Sequence, residues 1–246
     1  MHSHCRHITV VIPVFNEQER IAKTLYNIKD YLATQAYSSD VLVIDDGSVD
    51  LTSEVIRVVD FYGEEVKAQS SGVLVHNSTN SGKGYSIAKG LLMAKGDIIV
   101  FTDADLSTPI SELQKLIDKI DEGYDVVIGS RNLPASKVAN RPFVRLLLSR
   151  CFNFIASGLG LLTVSDSQCG FKAYRQEAAQ AVAQKQQTFG YCFDVEHIHT
   201  ATRLGYRVTE VPVIWRHDDR STVSLCTDSL FMFIDLLKIR WVHRNL

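Results

Sequence analysis

The sequence predicts an α/β protein built on a mostly parallel central sheet flanked by helices. Two observations carry this. Short continuous apolar runs such as HITVVIPV (7–14) and DIIVFT (97–102) alternate with amphipathic stretches through residues 1–135. Strands of that kind are buried on both faces, and helices between them imply right-handed crossovers and parallel pairing. Four of the runs also end in polar or charged residues, at the edge where open α/β sheets bind ligands.

In chain order, His7–Val14 reads as a buried strand and Glu17–Leu32 as an amphipathic helix. Val41–Ile44 is a second strand, followed by an acidic turn and a helix near Thr52–Phe61. Val73–His76 is a weaker strand, Gly84–Ala94 a helix and Asp97–Thr102 a buried strand. Ser111–Asp121 reads as a helix capped by its serine, and Asp125–Gly129 as a further strand. No Pro-, Gly- or Ser-rich linker interrupts this pattern, and no repeat is visible. The rhythm then changes. Arg141–Leu162 is a long helical stretch, and Phe171–Tyr174, Asp194–Leu204 and Arg207–Val213 read as strand, helix, strand. Ser224–Arg244 closes as a second apolar-basic helix.

Composition excludes several classes. Of 246 residues, 46% are apolar and 22% charged, ordinary globular usage that rules out disorder and low complexity. A net charge of −2 gives no global field for nucleic acid. Cys5, Cys151, Cys169, Cys192 and Cys226 form no CxxC and are odd in number, so they read as reduced packing thiols. The N-terminal MHSHCRH lacks a signal-peptide core; it reads either as a frayed polar end or as a site for a stray metal ion through His2, His4, Cys5 and His7. No run of about 18 apolar residues exists that would span a bilayer. Charge is nonetheless unevenly placed. Between Asp125 and Asp166 there is no acidic residue, whereas Arg131, Lys137, Arg141, Arg145 and Arg150 fall there. Residues 236–246 repeat the bias with Lys238, Arg240 and Arg244. Apolar-basic stretches of this kind suit an anionic, greasy surface; the alternative is a pair of core helices whose arginines reach solvent.

The strand ends carry the chemistry. After the first strand comes Pro13-Val14-Phe15-Asn16-Glu17, after the second Asp45-Asp46-Gly47-Ser48, and after the fifth Ser130-Arg131-Asn132. The fourth ends in Asp103-Ala104-Asp105, two carboxylates one residue apart whose hard oxygens suit Mg²⁺ or Mn²⁺ shared with a diphosphate. Asp45 and Asp46 read either as a turn and helix cap, with Asp50, or as hydrogen-bond acceptors for a nucleoside. Asn80-Ser81-Gly82-Lys83-Gly84 lacks P-loop spacing; Gly82 and Gly84 would let the backbone pass close to a nucleotide, beside Lys83.

Taken together, VIPVFNEQERI, VIDDGSVDLT, NSGKGYSIAKG, DIIVFTDADLSTP, DVVIGSRN and DSQCGFKAYR resemble glycosyltransferase family 2 over nearly the whole chain. The likeness is to its polyprenyl-phosphate branch, the dolichyl-phosphate mannose synthases and β-glucosyltransferases. The resemblance implies a GT-A fold in one domain spanning 1–246, with a nucleotide-sugar-binding half (1–135) and an acceptor-binding half (136–246). It implies a divalent metal and inversion at the anomeric carbon. By motif, Pro13, Phe15, Glu17, Ile44 and Asp46 would line the nucleotide pocket. Asp103, Ala104 and Asp105 would hold donor and metal, with Asp105 the direct ligand. Arg131, Arg145 and Ser149 match acceptor-phosphate positions, and Arg216 and Ser221 match a loop closing over the diphosphate. There are departures. Ser107-Thr108 stand where the mannose synthases have Gln-His, so a metal ligand becomes a hydroxyl or water at Ser107. Arg220-Ser221-Thr222 replaces G-x-S-K. The wording DADLSTP and DSQCGFK leans to glucose from UDP-glucose, with GDP-mannose as the alternative donor.

A lipid monophosphate is already largely dianionic at neutral pH, so its transfer needs positioning arginines more than a general base. Asp166 or the pair Asp194/Glu196 would serve as base only for an alcohol acceptor, and otherwise would orient hydroxyls or brace loops. His197 and His199 read as surface or packing residues. The expected partners are a nucleotide sugar, a polyprenyl phosphate and a membrane surface, with the protein peripheral on the cytoplasmic face. A nucleotidyltransferase would need a Gly-rich, Arg-containing loop where PVFNE stands, and a phosphoaspartate receiver has about half this sheet. A non-catalytic nucleotide-sugar-binding protein on the same fold is the remaining rival.

Overall fold

The computed structural model describes residues 6–59, 70–217, 227–244 and 246. The strands are β1 (His7–Val14), β2 (Ser38–Asp45), β3 (Ser70–His76), β4 (Ile98–Thr102), β5 (Val126–Ser130), β6 (Lys137–Ala139), β7 (Phe171–Arg175), β8 (Val208–Pro212) and β9 (Ile214–Arg216). The helices are α1 (Ile21–Ala33), α2 (Thr52–Val58), α3 (Lys83–Met93), α4 (Leu113–Asp121), α5 (Phe143–Gly158), α6 (Gln176–Lys185), α7 (Phe193–Arg203) and α8 (Thr227–Val242).

Seven strands form one sheet in the order β3-β2-β1-β4-β7-β5-β8. Six run the same way, and β7 alone is antiparallel, pairing with β4 on one side and β5 on the other. The C-terminal ends of β1, β2, β4 and β5 therefore share one edge. β7 and β8 come from the C-terminal part of the chain, so both halves contribute to one sheet and one core. In β1, β4 and β5 nearly every residue is buried, as two helix-covered faces require.

Among the described residues the predicted elements are present with shifted ends, residues 60–61 and 224–226 of two of them lying outside that range, and three of the shifts have a local cause. α1 starts at Ile21 because Asn16 takes φ 54° and Glu17–Arg20 form a turn whose carbonyl at Glu17 receives the amides of Arg20 and Ile21. Ser111 does not cap α4: it lies in a 3₁₀ turn, Ile110–Glu112, that begins after Pro109 and has no side-chain cap bond. α5 stops at Gly158, short of Leu162, where Gly160 adopts φ 70°, the left-handed geometry that ends helices. α6, an alanine-rich helix with little apolar contrast, and the small parallel sheet of β6 with β9 were not anticipated.

Candidate functional site

A cleft of about 850 Å³ opens at the C-terminal edge of the sheet. Pro13, Phe15, Glu17, Asp46, Lys83, Asp103, Ala104, Asp105, Ser107 and Arg131 all border it, so the sequence-predicted residues from four strand ends converge on one place.

The first wall is the loop after β1, fastened to the loop after β2. Asn16 N donates to Ser48 Oγ at 2.9 Å, Glu17 N to Thr52 Oγ1 at 2.7 Å, and Val49 N to Asn16 Oδ1 at 3.0 Å. Glu17 also pairs with Arg20, Nη2 to Oε1 at 2.6 Å. The two aspartates after β2 divide the roles left open above. Asp45 is buried and accepts from Ser48 N, Ser53 Oγ and His76, so it fastens the turn. Burial pushes its pKa up, but these hydrogen bonds outweigh that and hold it below the usual range. Asp46 reaches the cleft and accepts from Asn77 Nδ2, Ser81 N and Gly82 N, which sets the loop leading into α3. Asp50 accepts from Thr52 N at 3.0 Å, at the start of α2.

Gly82 has φ 100°, and a β-carbon there would lie 2.5 Å from the Phe189 carbonyl. Gly84 N donates to that same carbonyl at 2.9 Å. The two glycines therefore admit the 186–190 segment, and Gly84 is not an open approach to a nucleotide. Between them Lys83 enters the cleft, its Nζ 2.6 Å from Asp103 Oδ1.

The paired aspartates follow β4. Asp105 Oδ1 accepts from Ser107 N at 2.8 Å, and the Ala104 carbonyl accepts from Thr24 Oγ1 at 2.5 Å, so the turn is pinned on both sides. Burial raises the pKa of Asp105, reinforced by the Asp103 charge. Two carboxylates at the mouth of a cleft, one of them short of countercharge, fit a hard divalent cation. No group of three or more His, Cys, Asp and Glu side chains that could hold one is found among the described residues. A cation here would thus take its remaining ligands from substrate oxygens and water, as Mg²⁺ and Mn²⁺ do at phosphate sites.

Arg131 is anchored rather than loose. Its Nε and Nη2 donate to the two oxygens of Asp166, each at 2.7 Å, and its guanidinium lies 5.4 Å from the Trp215 ring centroid. The two-bond edge that the sequence reading offered to an acceptor phosphate is therefore taken. Asp166 is 0% exposed, and Glu210 fixes it by accepting its amide at 2.9 Å.

The other carboxylates weighed as bases are also committed. Asp194 pairs with Lys172, which is 0% exposed and sits 5.5 Å from the Phe101 ring centroid. Glu196 accepts from Gln187 N, Thr188 N and Thr188 Oγ1, and pairs with His243 Nε2 at 2.6 Å. His197 and His199 are buried, not surface residues. His197 Nε2 bonds Gln186 Oε1 at 2.6 Å, while Gln186 Nε2 donates to the Gly84 and Thr188 carbonyls.

Some expectations need correction. Ile44 is wholly buried in β2 and does not border the cleft. Arg216 does not border it either; its amide donates to the Ser107 carbonyl at 2.8 Å, while its neighbours Trp215 and His217 face the cleft, stacked 5.8 Å apart. Ser149 lies on α5 away from the cleft, with a buried hydroxyl lacking a partner among the described residues. Arg145 lies on α5, but its side chain is outside what the structure describes, as are Arg220, Ser221 and Thr222 and the N-terminal His2, His4 and Cys5. Of the thiols, Cys169 and Cys192 are buried, Cys151 is exposed and Cys226 lies outside the described residues. The sequence reading missed Gln168, Tyr191, Trp215 and His217.

Comparison with known proteins gives the family. Residues 9–183 match the model of Glycosyl transferase family 2. A dolichyl-phosphate beta-glucosyltransferase of Trichomonas vaginalis is 30% identical, over 97% of this chain and 74% of that protein. The protein of the same name from Saccharomyces cerevisiae is 31% identical, over 96% of this chain and 75% of that protein. Among solved structures, glucosyl-3-phosphoglycerate synthase from Mycobacterium tuberculosis, crystallised with uridine diphosphate, superposes with a TM-score of 0.72 at 22% identity, covering 96% of this chain and 80% of that one. The same enzyme with Mn²⁺, UDP-glucose and phosphoglyceric acid gives 0.68. The fold is thus GT-A-like, and the chain belongs to glycosyltransferase family 2 and is a glycosyltransferase.

Proposed function

We propose that the protein transfers a hexose, glucose from UDP-glucose, to a polyprenyl phosphate of the dolichyl or undecaprenyl type, with inversion and with the help of Mg²⁺ or Mn²⁺. The observation that carries this reading is the state of the carboxylates. Asp166 and Asp194 are each paired with a cation, and Glu196 is taken up by hydrogen bonds from Gln187 N, Thr188 and His243, so none is placed to take a proton from an alcohol. An acceptor that arrives already ionised needs no such base. A phosphate monoester meets that condition, having a second pKa near 6. The relatives named dolichyl-phosphate beta-glucosyltransferase support the same substrate pair.

Asp105 and Asp103, with Ser107 beside them, would hold the metal, whose bound charge would offset that of the departing diphosphate. Phe15, Glu17 and Asp46 bound the part of the cleft suited to the nucleoside, and Lys83 brings positive charge to the diphosphate side. Arg131, held by Asp166 and Trp215, contributes a fixed positive field near the reacting centre rather than a two-bond clamp. Arg145 and Ser149, with Ser221 and Arg216 at the donor loop, are carried over from the family motif alone.

The same reading makes the protein peripheral, on the cytoplasmic face of a membrane. No helix among the described residues is long and apolar enough to cross one. α5 exposes Phe143, Val144, Leu147, Leu148, Phe154 and Ile155, with Phe143 and Phe154 at 75% and 79% exposure, in the interval free of acidic residues. α8 adds Phe233, Ile234, Leu237 and Trp241 beside Lys238, Arg240 and Arg244. Such faces suit an interface rich in anionic lipid.

The test is a donor panel of UDP-glucose, GDP-mannose and UDP-GlcNAc with a short polyprenyl phosphate and Mn²⁺. Turnover is expected with UDP-glucose, and Arg145→Ala should weaken acceptor use while sparing donor binding. Turnover with polyprenol but not with its phosphate would overturn the reading.

A further inference from the structure

Gly170 immediately precedes β7 within the motif DSQCGFK and borders the cleft, yet the functional reading assigns it nothing. Its backbone is not in the left-handed region, so conformation does not demand glycine there. Space does. The Asp103 carboxylate lies back against the Gly170 α-carbon, and a β-carbon at Gly170 would overlap its Oδ2 and Cγ and stand 2.7 Å from Oδ1. The two backbones are locked at this point. Asp103 N donates to the Gly170 carbonyl at 3.1 Å, and the next pair, Thr102 with Phe171, is in antiparallel register. Neither chain can draw aside to make room. Seated this way, Asp103 presents Oδ1 to Lys83 Nζ at 2.6 Å and leaves the turn open for Asp105 to face the cleft.

We propose that Gly170 is a positioning residue of the donor site, its missing side chain being the seat that holds the Asp103 carboxylate against Lys83. The proposal rests on the reading of Asp103 and Asp105 as the donor–metal pair. The three atoms nearest to a methyl group there all belong to the Asp103 carboxylate, the end of a side chain that can swing about χ1, so Gly170→Ala should fold well and fail in binding.

Four proteins test this: wild type, Gly170→Ala, Asp103→Ala and the double variant. They are compared by thermal melting and by binding of Mn²⁺ with UDP, read by calorimetry and by the Mn²⁺ electron paramagnetic resonance signal. Gly170→Ala is expected to melt within about 2 °C of wild type. Its affinity for UDP with Mn²⁺ should fall by about 10- to 100-fold, the usual cost of disturbing a group that orients a metal ligand. In the Asp103→Ala background, where no carboxylate remains to be displaced, the same change should add less than about twofold. Unchanged binding overturns the proposal, as does an equal loss in both backgrounds, or a melting temperature far below wild type. A crystal structure of Gly170→Ala decides independently: the carboxylate must have left Lys83, and finding it unmoved refutes the seat. If wild type binds no UDP with Mn²⁺, the donor-site reading fails, while that structure still judges the contact.

Discussion

Arg131 and Asp166 form a closed, two-bond ion pair beneath the cleft, with the Arg131 amide also donating to Asp166 Oδ2 at 2.8 Å. Burial alone would raise the Asp166 pKa, but the Arg131 charge and its hydrogen bonds prevail and hold it below 3.8. Removing the carboxylate charge would leave a guanidinium in a mostly buried place without its partner. Asp166→Asn should therefore lower stability by about 3 kcal/mol, measured by urea unfolding at pH 7. The sign with pH follows from the depressed pKa. The pair's contribution is complete above the unfolded value and is lost as pH falls through the lower, folded one. The variant should lack this acid-dependent loss, and wild-type stability at pH 7 would contradict the assignment.

Asp105 is the opposite case. Burial and the neighbouring Asp103 raise its pKa, so the folded state carries the charge at a cost. Asp105→Ala should melt at or above wild type while hexose transfer falls by at least about 100-fold, a loss in the range seen when metal-site groups are removed. A variant that keeps turnover would exclude this carboxylate from the reaction. One that unfolds would make its role structural.

The site was legible where strand termini were, since a parallel sheet gathers its C-terminal ends on one edge and each apolar run announces where it stops. That rule delivered Glu17, Asp46, Asp103, Asp105 and Arg131. Ile44 and Arg216, carried over from the family motif rather than read from a strand end, stand off the cleft for related reasons. Ile44 is the last apolar residue of a strand covered on both faces, so proximity to Asp46 in sequence does not bring it to the surface. Along β9, successive side chains point to opposite faces, so Trp215 and His217 share the cleft side and Arg216 takes the other. Strand β9 is three residues long and carries no periodic signal, which is why its register was not readable. Gly170 escaped notice because its importance lies in a contact with Asp103 across the sheet, and a single sequence carries no trace of such a pairing.

The exposed side of α5 makes a separable prediction. Phe143, Leu147 and Phe154 fall on one stripe at helical spacing, along with exposed Arg150, and contribute little to the core. Leu147→Asp with Phe154→Asp should leave UDP binding and melting unchanged. Binding to vesicles containing phosphatidylglycerol should weaken by at least about tenfold, because each buried side chain of this size is worth roughly 1.5–3 kcal/mol. Sedimentation with vesicles checks this, and unimpaired binding would assign the face to something other than lipid.

The buried His197 and His199 predict how the fold responds to mild acid. Burial pushes the His197 pKa down to about 3 and that of His199 to about 4, the latter helped by the nearby His243, Arg203 and Arg240 charges. Gln186 spends both amide hydrogens on carbonyls, so its oxygen must accept from His197 Nε2–H, which fixes the neutral tautomer with Nδ1 toward Tyr174. The unfolded chain takes up protons on both rings near the ordinary value of 6.5, whereas the folded chain does not. The unfolded state thus binds more protons throughout this window, and stability must fall as pH drops below 6.5. The slope should reach about 1.4 kcal/mol per pH unit for each ring. Urea unfolding at pH 7, 6 and 5 should show that decline in wild type. His197→Gln, which can still donate to Gln186, should lose about one proton's share of it. A profile equally steep in the variant would show that the acid sensitivity arises elsewhere, and a flat wild-type profile would mean that these rings are not held neutral.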